Sequence, residues 1–369
     1  MNIIVFNEKF ETMGSIGVFN TLIWDRRYYE AGVFELHAPV EYFQLLNENR
    51  YIFRNDRPEL GVIREVNFTN DDSGQRLAYC KGYFAESLLD LRVIEKTFNM
   101  SGTAEAIARA VIDKFIVSPT DEGRRIAHIA LGPVNGVGTS TRLQVTGDNV
   151  GEKLYDFLKT QEASQRLTFD FINNVLSYEV WKGLDRTQEQ TENSWATFSD
   201  SFYNVKSVVY ARDESTAKNY AYVAGEGEGD ARKIVEIDLR ESASEERKEV
   251  YVDARDLQAS YYDDAGTEHR YSDAEYSEML RQRGLEKLAE YAMVETIDSD
   301  IDSQANLVYG QDFDLGDLCT YQNFEIGLEL NKRITGIQEV YEGSKQTISI
   351  TFGNDDATSI KKIIKREVS

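Results

Sequence analysis

Residues 312–321, DFDLGDLCTY, set Phe313, Leu315, Leu318 and Cys319 around a Gly316-Asp317 pair in an otherwise polar chain. An apolar run broken by Gly-Asp reads as a tight turn: glycine supplies backbone freedom and aspartate a local hydrogen-bond acceptor. The last clear strand, TISITFG (347–353), alternates Ile348, Ile350 and Phe352 with polar residues and ends on Gly353. Gly316, Asp317 and Gly353 are thus structural candidates, placed where a β-carbon is costly or a turn must be held. Gly316→Val is expected to be poorly tolerated.

Working outward, strands precede the turn: WATFSDSFYNVKSVVYARD (195–213), NYAYVAGEG (219–227), KIVEIDLR (233–240) and KEVYVDA (248–254). One long helix interrupts them, expected over 272–294. Ser272 and Glu275 stand at capping-box spacing, and Tyr276, Met279, Leu280, Leu288 and Ala292 form its apolar stripe. The first ~90 residues also read as strands, with a hairpin formed by GVIREVNF (61–68), a TNDDSG turn (69–74) and QRLAYCKGYF (75–84). Between the two ends lies a different pattern. Two capped amphipathic helices (101–115 and 148–161) precede a hairpin of RLTFDFI, Asn173-Asn174 and VLSYEVW.

The two ends echo each other. Ile63, Val66, Leu77, Tyr79 and Gly82 recur at equal spacing as Ile334, Ile337, Ile348, Ile350 and Gly353. Two amphipathic hairpins at opposite ends suggest two barrels of one type. The expected fold is α+β and mainly β, with two similar β-barrel domains, an intervening α+β domain and a helical insertion. The expected boundaries are 1–92 for the first barrel, 93–186 for the α+β domain and 187–353 for the second barrel. The basic residues 354–369 are read as a tail.

The chain of 369 residues carries a formal charge of −23, and residues 186–302 hold 28 acidic against 14 basic residues. Binding along a nucleic-acid backbone needs clustered Lys and Arg, so sequence-specific nucleic-acid binding is not expected. No apolar run approaches the ~20 residues of a membrane span, and MNIIVFNEKF lacks the layout of a secretory signal. The expectation is a soluble protein made in a cytoplasm, without stable membrane anchoring.

Catalytic chemistry finds no foothold in the pattern. The three histidines, His37, His128 and His269, fall in different regions, and Cys80 and Cys319 sit far apart in strand-like runs. GEGEGD (225–230) lacks a phosphate-binding spacing and is interrupted by acids. DSDID (298–302) starts like a calcium loop, but Ser303 replaces the turn glycine and Tyr309 the final glutamate. No catalytic, cofactor-binding or metal residues are assigned, and the chain is read as no enzyme.

The order of the blocks resembles the hub-type tail protein family of siphophages. The resemblance rests on KGLDRT (182–187), FSDSFYNV (198–205), DFDLGDLCT (312–320) and RITGI (333–337), within similarity over about 1–353. It implies two barrels, an intervening α+β domain, and a homotrimer in the virion tail that closes the distal end of the tail tube. The implied partners are the distal tail protein ring, the tail tube, the tape-measure protein and receptor-binding or fibre proteins. Longer relatives continue into lytic or adhesive extensions, so any such activity is expected in another subunit. The alternatives are a tail-associated cell-wall hydrolase or a carbohydrate-binding tail module.

Overall fold

Period-two runs become strands and period-3.6 runs become helices. The computed structural model describes residues 1–70, 76–262, 266–301 and 306–353. Part of the expected 69–74 turn, Asp302 and Ser303 of the calcium-like run, and the basic tail 354–369 lie outside the described residues. The protein is mainly β.

Thirteen strands form one continuous sheet among the described residues. Its C-terminal half runs Val205–Asp213, Val294–Ile301, Lys345–Gly353, Leu328–Glu342. The next strand, Thr21–Arg27, pairs antiparallel with Leu328–Glu342 and opens the N-terminal half. That half continues through Val33–Pro39, Arg76–Phe84, Leu60–Asn70, Tyr51–Arg54, Ile3–Phe6 and Thr12–Ile16. Thr197–Ser199 and Leu318–Asn323 branch from Leu328–Glu342. The two strand-rich ends are therefore joined edge to edge, and no strand pairing closes a barrel among the described residues.

Each half has its own core. Trp24, Phe34, Leu36, Ile52 and Cys80 fill the N-terminal one; Phe198, Phe313, Cys319, Ile337 and Phe352 fill the C-terminal one. The middle region builds a third around helices Ala104–Ile112 and Val150–Lys159, which pack beside strands Ser164–Asp170 and Val175–Trp181. Thr103 and Asn149 cap the helices by accepting from Ala106 N and Gly151 N.

The insertion is larger than a helix. The helix spans Asp273–Glu290, shorter than the expected 272–294, and Ser272 and Glu275 form the expected capping box. Strands Tyr220–Ala224, Ile234–Asp238 and Glu249–Asp253, read from sequence as part of a second barrel, form a separate three-stranded sheet against that helix. Their side chains find a dry surface on Met279, Leu280 and Leu288. The unit leaves the main sheet after Val205–Asp213 and rejoins it at Val294–Ile301, which are hydrogen-bonded neighbours.

The internal echo holds only in part. Both hairpins carry a register irregularity just after the aligned isoleucine, at Ile63/Glu65 and at Ile334/Gly336. Their pairing is one residue out of step, because Val66 faces Cys80 whereas Ile337 faces Ile350. An odd offset exchanges the two faces of a strand. Ile348 and Ile350 are accordingly buried, while Leu77 and Tyr79 lie on the half-exposed face and Ala78 and Cys80 take the core.

Gly353 adopts φ +91°, and a β-carbon there would lie 2.0 Å from the Glu295 carbonyl oxygen. Gly353→Ala is expected to cost more than about 3 kcal/mol, the upper range for single substitutions. Thermal or denaturant unfolding measures this, and wild-type stability would mean that the two strands are not so closely apposed.

Candidate functional site

The four sequence blocks of the resemblance meet in space. Gly316 has φ +84°, and its absent side chain leaves room for the Tyr28 ring, which a β-carbon would approach to 2.6 Å. On the other side lies Gly183 of KGLDRT, whose own β-carbon would sit 2.0 Å from the Gly316 carbonyl. Two glycines thus let two backbones touch.

Hydrogen bonds then stitch the contact. Gly316 N donates to Ile334 O and Ile334 N to Asp317 O, both at 2.8 Å. Leu318 N donates to Leu184 O at 2.9 Å, and Arg186 N returns to Leu318 O at 2.8 Å. Beyond them, Thr197–Ser199 runs parallel to Leu318–Asn323, which brings FSDSFYNV to the same place.

Asp317 does more than hold its own turn. It is buried and accepts from Asp314 N at 3.0 Å, but also from Leu184 N at 2.7 Å and from Arg186 Nε at 2.7 Å. Arg333 Nη1 donates to Gly316 O at 2.5 Å, and its Nη2 lies 3.2 Å from Glu162 Oε2. Tyr28, fully buried, donates its N–H to Thr335 O at 2.9 Å and packs edge-on against Trp181 at 4.9 Å. Burial pushes the Tyr28 hydroxyl well above its ordinary range, so it stays neutral and donates toward the Glu162 and Trp181 carbonyls. Three regions of the chain are fastened at one point.

Next to this point a charged clasp joins the N-terminal and C-terminal halves. Glu339 is fully buried, accepts from Arg57 at 2.7 and 3.0 Å, and lies 3.1 Å from the equally buried Arg54. Arg54 also donates to the Tyr341 hydroxyl at 3.0 Å and lies over the Trp24 ring. Arg26 bridges Glu59 and Asp314, each at 2.6 Å. Burial alone would raise the Glu339 carboxyl. The hydrogen bond from Arg57 and the charges of Arg54 and Arg57 outweigh that and hold it below the usual range.

Of the sequence candidates, Gly316 and Asp317 lie in this junction, and Gly353 lies apart from it against Glu295. Sequence reading missed Tyr28, Gly183, Arg54, Arg57 and Glu339. Glu339 carried a signal, because it stands in phase with buried Ile337 on an alternating strand. The histidines stay dispersed. His37 bonds Glu35 on a half-exposed strand, His128 packs on Phe10 with φ +67°, and His269 stacks on Tyr261. Both cysteines are buried and free, and burial pushes the Cys80 thiol up to about 12. Asp298 and Asp300 accept from Thr351 and Ser349, each at 2.5 Å.

Three solved structures share this architecture over nearly their full lengths. The prophage MuSo2 43 kDa tail protein from Shewanella oneidensis is 12% identical, with 97% of this chain and 99% of that one covered at a TM-score of 0.60. The tail protein from Neisseria meningitidis MC58 is 12% identical, with 96% of each chain covered at 0.57. Prophage tail protein gp18 from Listeria monocytogenes EGD-e is 14% identical, with 99% and 98% covered at 0.57. The fold is that of phage tail proteins. A sequence model of the siphovirus ReqiPepy6 Gp37-like protein family matches residues 2–354, so the chain belongs to that family and its place is the virion tail. No curated protein is significantly similar in sequence.

Two tests follow from the junction. Gly183→Ala should cost more than about 3 kcal/mol in unfolding experiments. Gly17→Ala, where the new methyl meets nothing closer than 3.7 Å, serves as the neutral control. Equal stability of the two variants would dissolve the two-glycine contact.

Glu339→Gln should cost about 3–5 kcal/mol at pH 7 by leaving two arginines undercompensated. Because the folded-state carboxyl is held below its ordinary value of 4.5, its contribution is complete above that pH and fades as pH falls through the lowered value. The stability gap between wild type and variant should therefore begin to narrow as pH falls below 4.5. A gap unchanged from pH 7 to pH 3.5 would contradict the clasp.

Proposed function

We propose that the chain is a structural hub at the distal end of the siphophage tail tube. It assembles as a homotrimer, surrounds a channel for DNA and mounts the host-adhesion apparatus without catalysis of its own. The observation that carries this reading is the joining of two strand-rich halves, each with a bulged hairpin, into one sheet. In the assembled ring each half takes the role of one barrel-like unit. Three chains then supply six such units, a pseudo-sixfold surface suited to a sixfold tube, the distal tail protein ring and the tape-measure protein it encloses.

Two further features support the reading. The main path of the sheet ends in the edge strands Thr12–Ile16 and Val205–Asp213, which offer backbone groups to a neighbouring copy. Phe202, Tyr203, Phe324 and Ile326 are exposed on adjacent turns tied by the Asn323–Asp200 hydrogen bond, an apolar tip suited to contact with receptor-binding or fibre proteins. The charge of −23 suits a lumen to which passing DNA does not adhere.

Light scattering and cross-linking of the purified chain, alone and with the neighbouring distal tail protein, should show trimers. Lysine substitution of several lumen-facing acids should leave assembly intact and slow genome delivery. A stable monomer in the assembled tail, or a basic lumen, would overturn the proposal.

A further inference from the structure

A small, partly open cavity of about 40 Å³ lies between the N-terminal half, the middle region and the 312–317 turn; its lining includes Arg26, Glu59, Glu86, Arg166, Trp181 and Leu315. Such a space accommodates a water molecule and no organic ligand. Three buried polar atoms on its lining residues have no hydrogen-bond partner: Glu59 Oε2, Glu86 Oε2 and Trp181 Nε1. Two of them are carboxylate oxygens, which only accept when ionised, and one is an indole N–H, which only donates. Acceptors outnumber donors, and one extra proton corrects the mismatch.

The other oxygens of the pair are occupied. Glu59 Oε1 accepts from Arg26 Nε at 2.6 Å, and Arg26 continues to Asp314 at 2.6 Å and Tyr309 at 2.8 Å. Glu86 Oε1 accepts from Leu167 N at 2.9 Å, across the boundary between the N-terminal half and strand Ser164–Asp170. The cations facing the site are committed elsewhere: Arg166 to Glu179, Arg27 to Asp25 and Glu30, and Arg26 as above. Tyr155, on helix Val150–Lys159, also faces Glu86 and is itself held neutral by burial. Glu59 is ion-paired with Arg26, whereas Glu86 forms no ion pair among the described residues and feels Arg166 only at a distance.

We propose that Glu86 is a proton latch at this junction. As a neutral acid it directs its Oε2 proton toward the Glu59 carboxylate and holds the N-terminal half against strand Ser164–Asp170. Through Glu59, Arg26 and Asp314 the same proton is linked to the 312–317 turn. Ionised, Glu86 places a second buried negative charge beside Glu59 and loosens the contact.

The titration lies in a useful range. Burial pushes the Glu86 carboxyl up to about 7; the Leu167 N–H opposes the rise, the Glu59 charge adds to it and Arg166 reduces it. Below the ordinary value of 4.5 the group is protonated in folded and unfolded chains alike. Between 4.5 and about 7 the unfolded chain loses the proton first, so folded-state stability falls across that window and stays low above it.

The test uses the full chain and does not depend on a role as hub. The Trp181 indole N–H, assigned by its loss in Trp181→Phe, is followed by NMR from pH 5.5 to 8.5. Its resonance should move with a midpoint near pH 7, stay fixed in Glu86→Gln, and move with a lower midpoint in Glu59→Gln. Glu86→Gln should melt above wild type at pH 8 and level with it at pH 5. A wild-type protein in which none of the three indole N–H resonances titrates would overturn the latch even if no variant folds. So would a titration that survives in Glu86→Gln, a midpoint unmoved in Glu59→Gln, or a Glu86→Gln variant that melts below wild type at pH 8.

Discussion

Gly183 and Gly316 stand so close that either β-carbon would collide with neighbouring atoms. That contact lets the strand leaving the middle region lie beside the turn that starts Leu318–Asn323. From there, Leu318 exchanges backbone hydrogen bonds with Leu184 and Arg186, and Asp317 closes the same gap with its side chain. Tyr28 reaches the junction from the N-terminal half and bonds the carbonyl of Thr335, at the irregularity where Leu328–Glu342 changes register. A bulge there bends a long strand. Its first part serves Leu318–Asn323 and its second part serves Thr21–Arg27.

Charges reinforce what the backbones begin. Glu339 and Arg54 are fully buried as a pair, and Arg57, Tyr341 and Tyr309 also donate to the carboxylate. A second buried pair, Lys153–Glu286 at 2.6 Å, ties the inserted unit to the middle region, with Arg142–Glu275 beside it. Buried ion pairs add little net stability but strongly penalise arrangements that separate them. In this chain they lie at boundaries between regions, where they select how those regions meet. The acidic excess as a whole lies elsewhere, largely on the exposed faces of residues 186–302.

The insertion shows how far local pattern reaches. Its strands and helix were legible one by one from alternation and from the Ser272–Glu275 box. Their grouping was not, because strands of similar composition lie on either side of them in the chain. Tyr220–Ala224 leaves the main sheet because its apolar face is covered by Met279 and Leu280, a choice made by shape in three dimensions. The echo between the hairpins held only in part for a related reason. Equal spacing along the chain does not specify pairing register, and a slip of one residue moved Leu77 and Tyr79 off the core face.

Sequence alone determined the strand-dominated character, the three capped helices, the tight turn at Gly316-Asp317 and the blocks that mark the family. These depend on residues near each other in the chain, whose periodicity and capping chemistry act locally. Tertiary structure decided that four of those blocks form one junction, that the two ends share a single sheet, and that Asp317 and Glu339 are bonded across regions. Those outcomes rest on contacts between residues more than a hundred positions apart, such as Gly183 with Gly316 and Arg54 with Glu339. A glycine that admits a distant backbone looks, in sequence, like any other glycine in a loop, and a buried carboxylate looks like a solvated one until its arginines arrive.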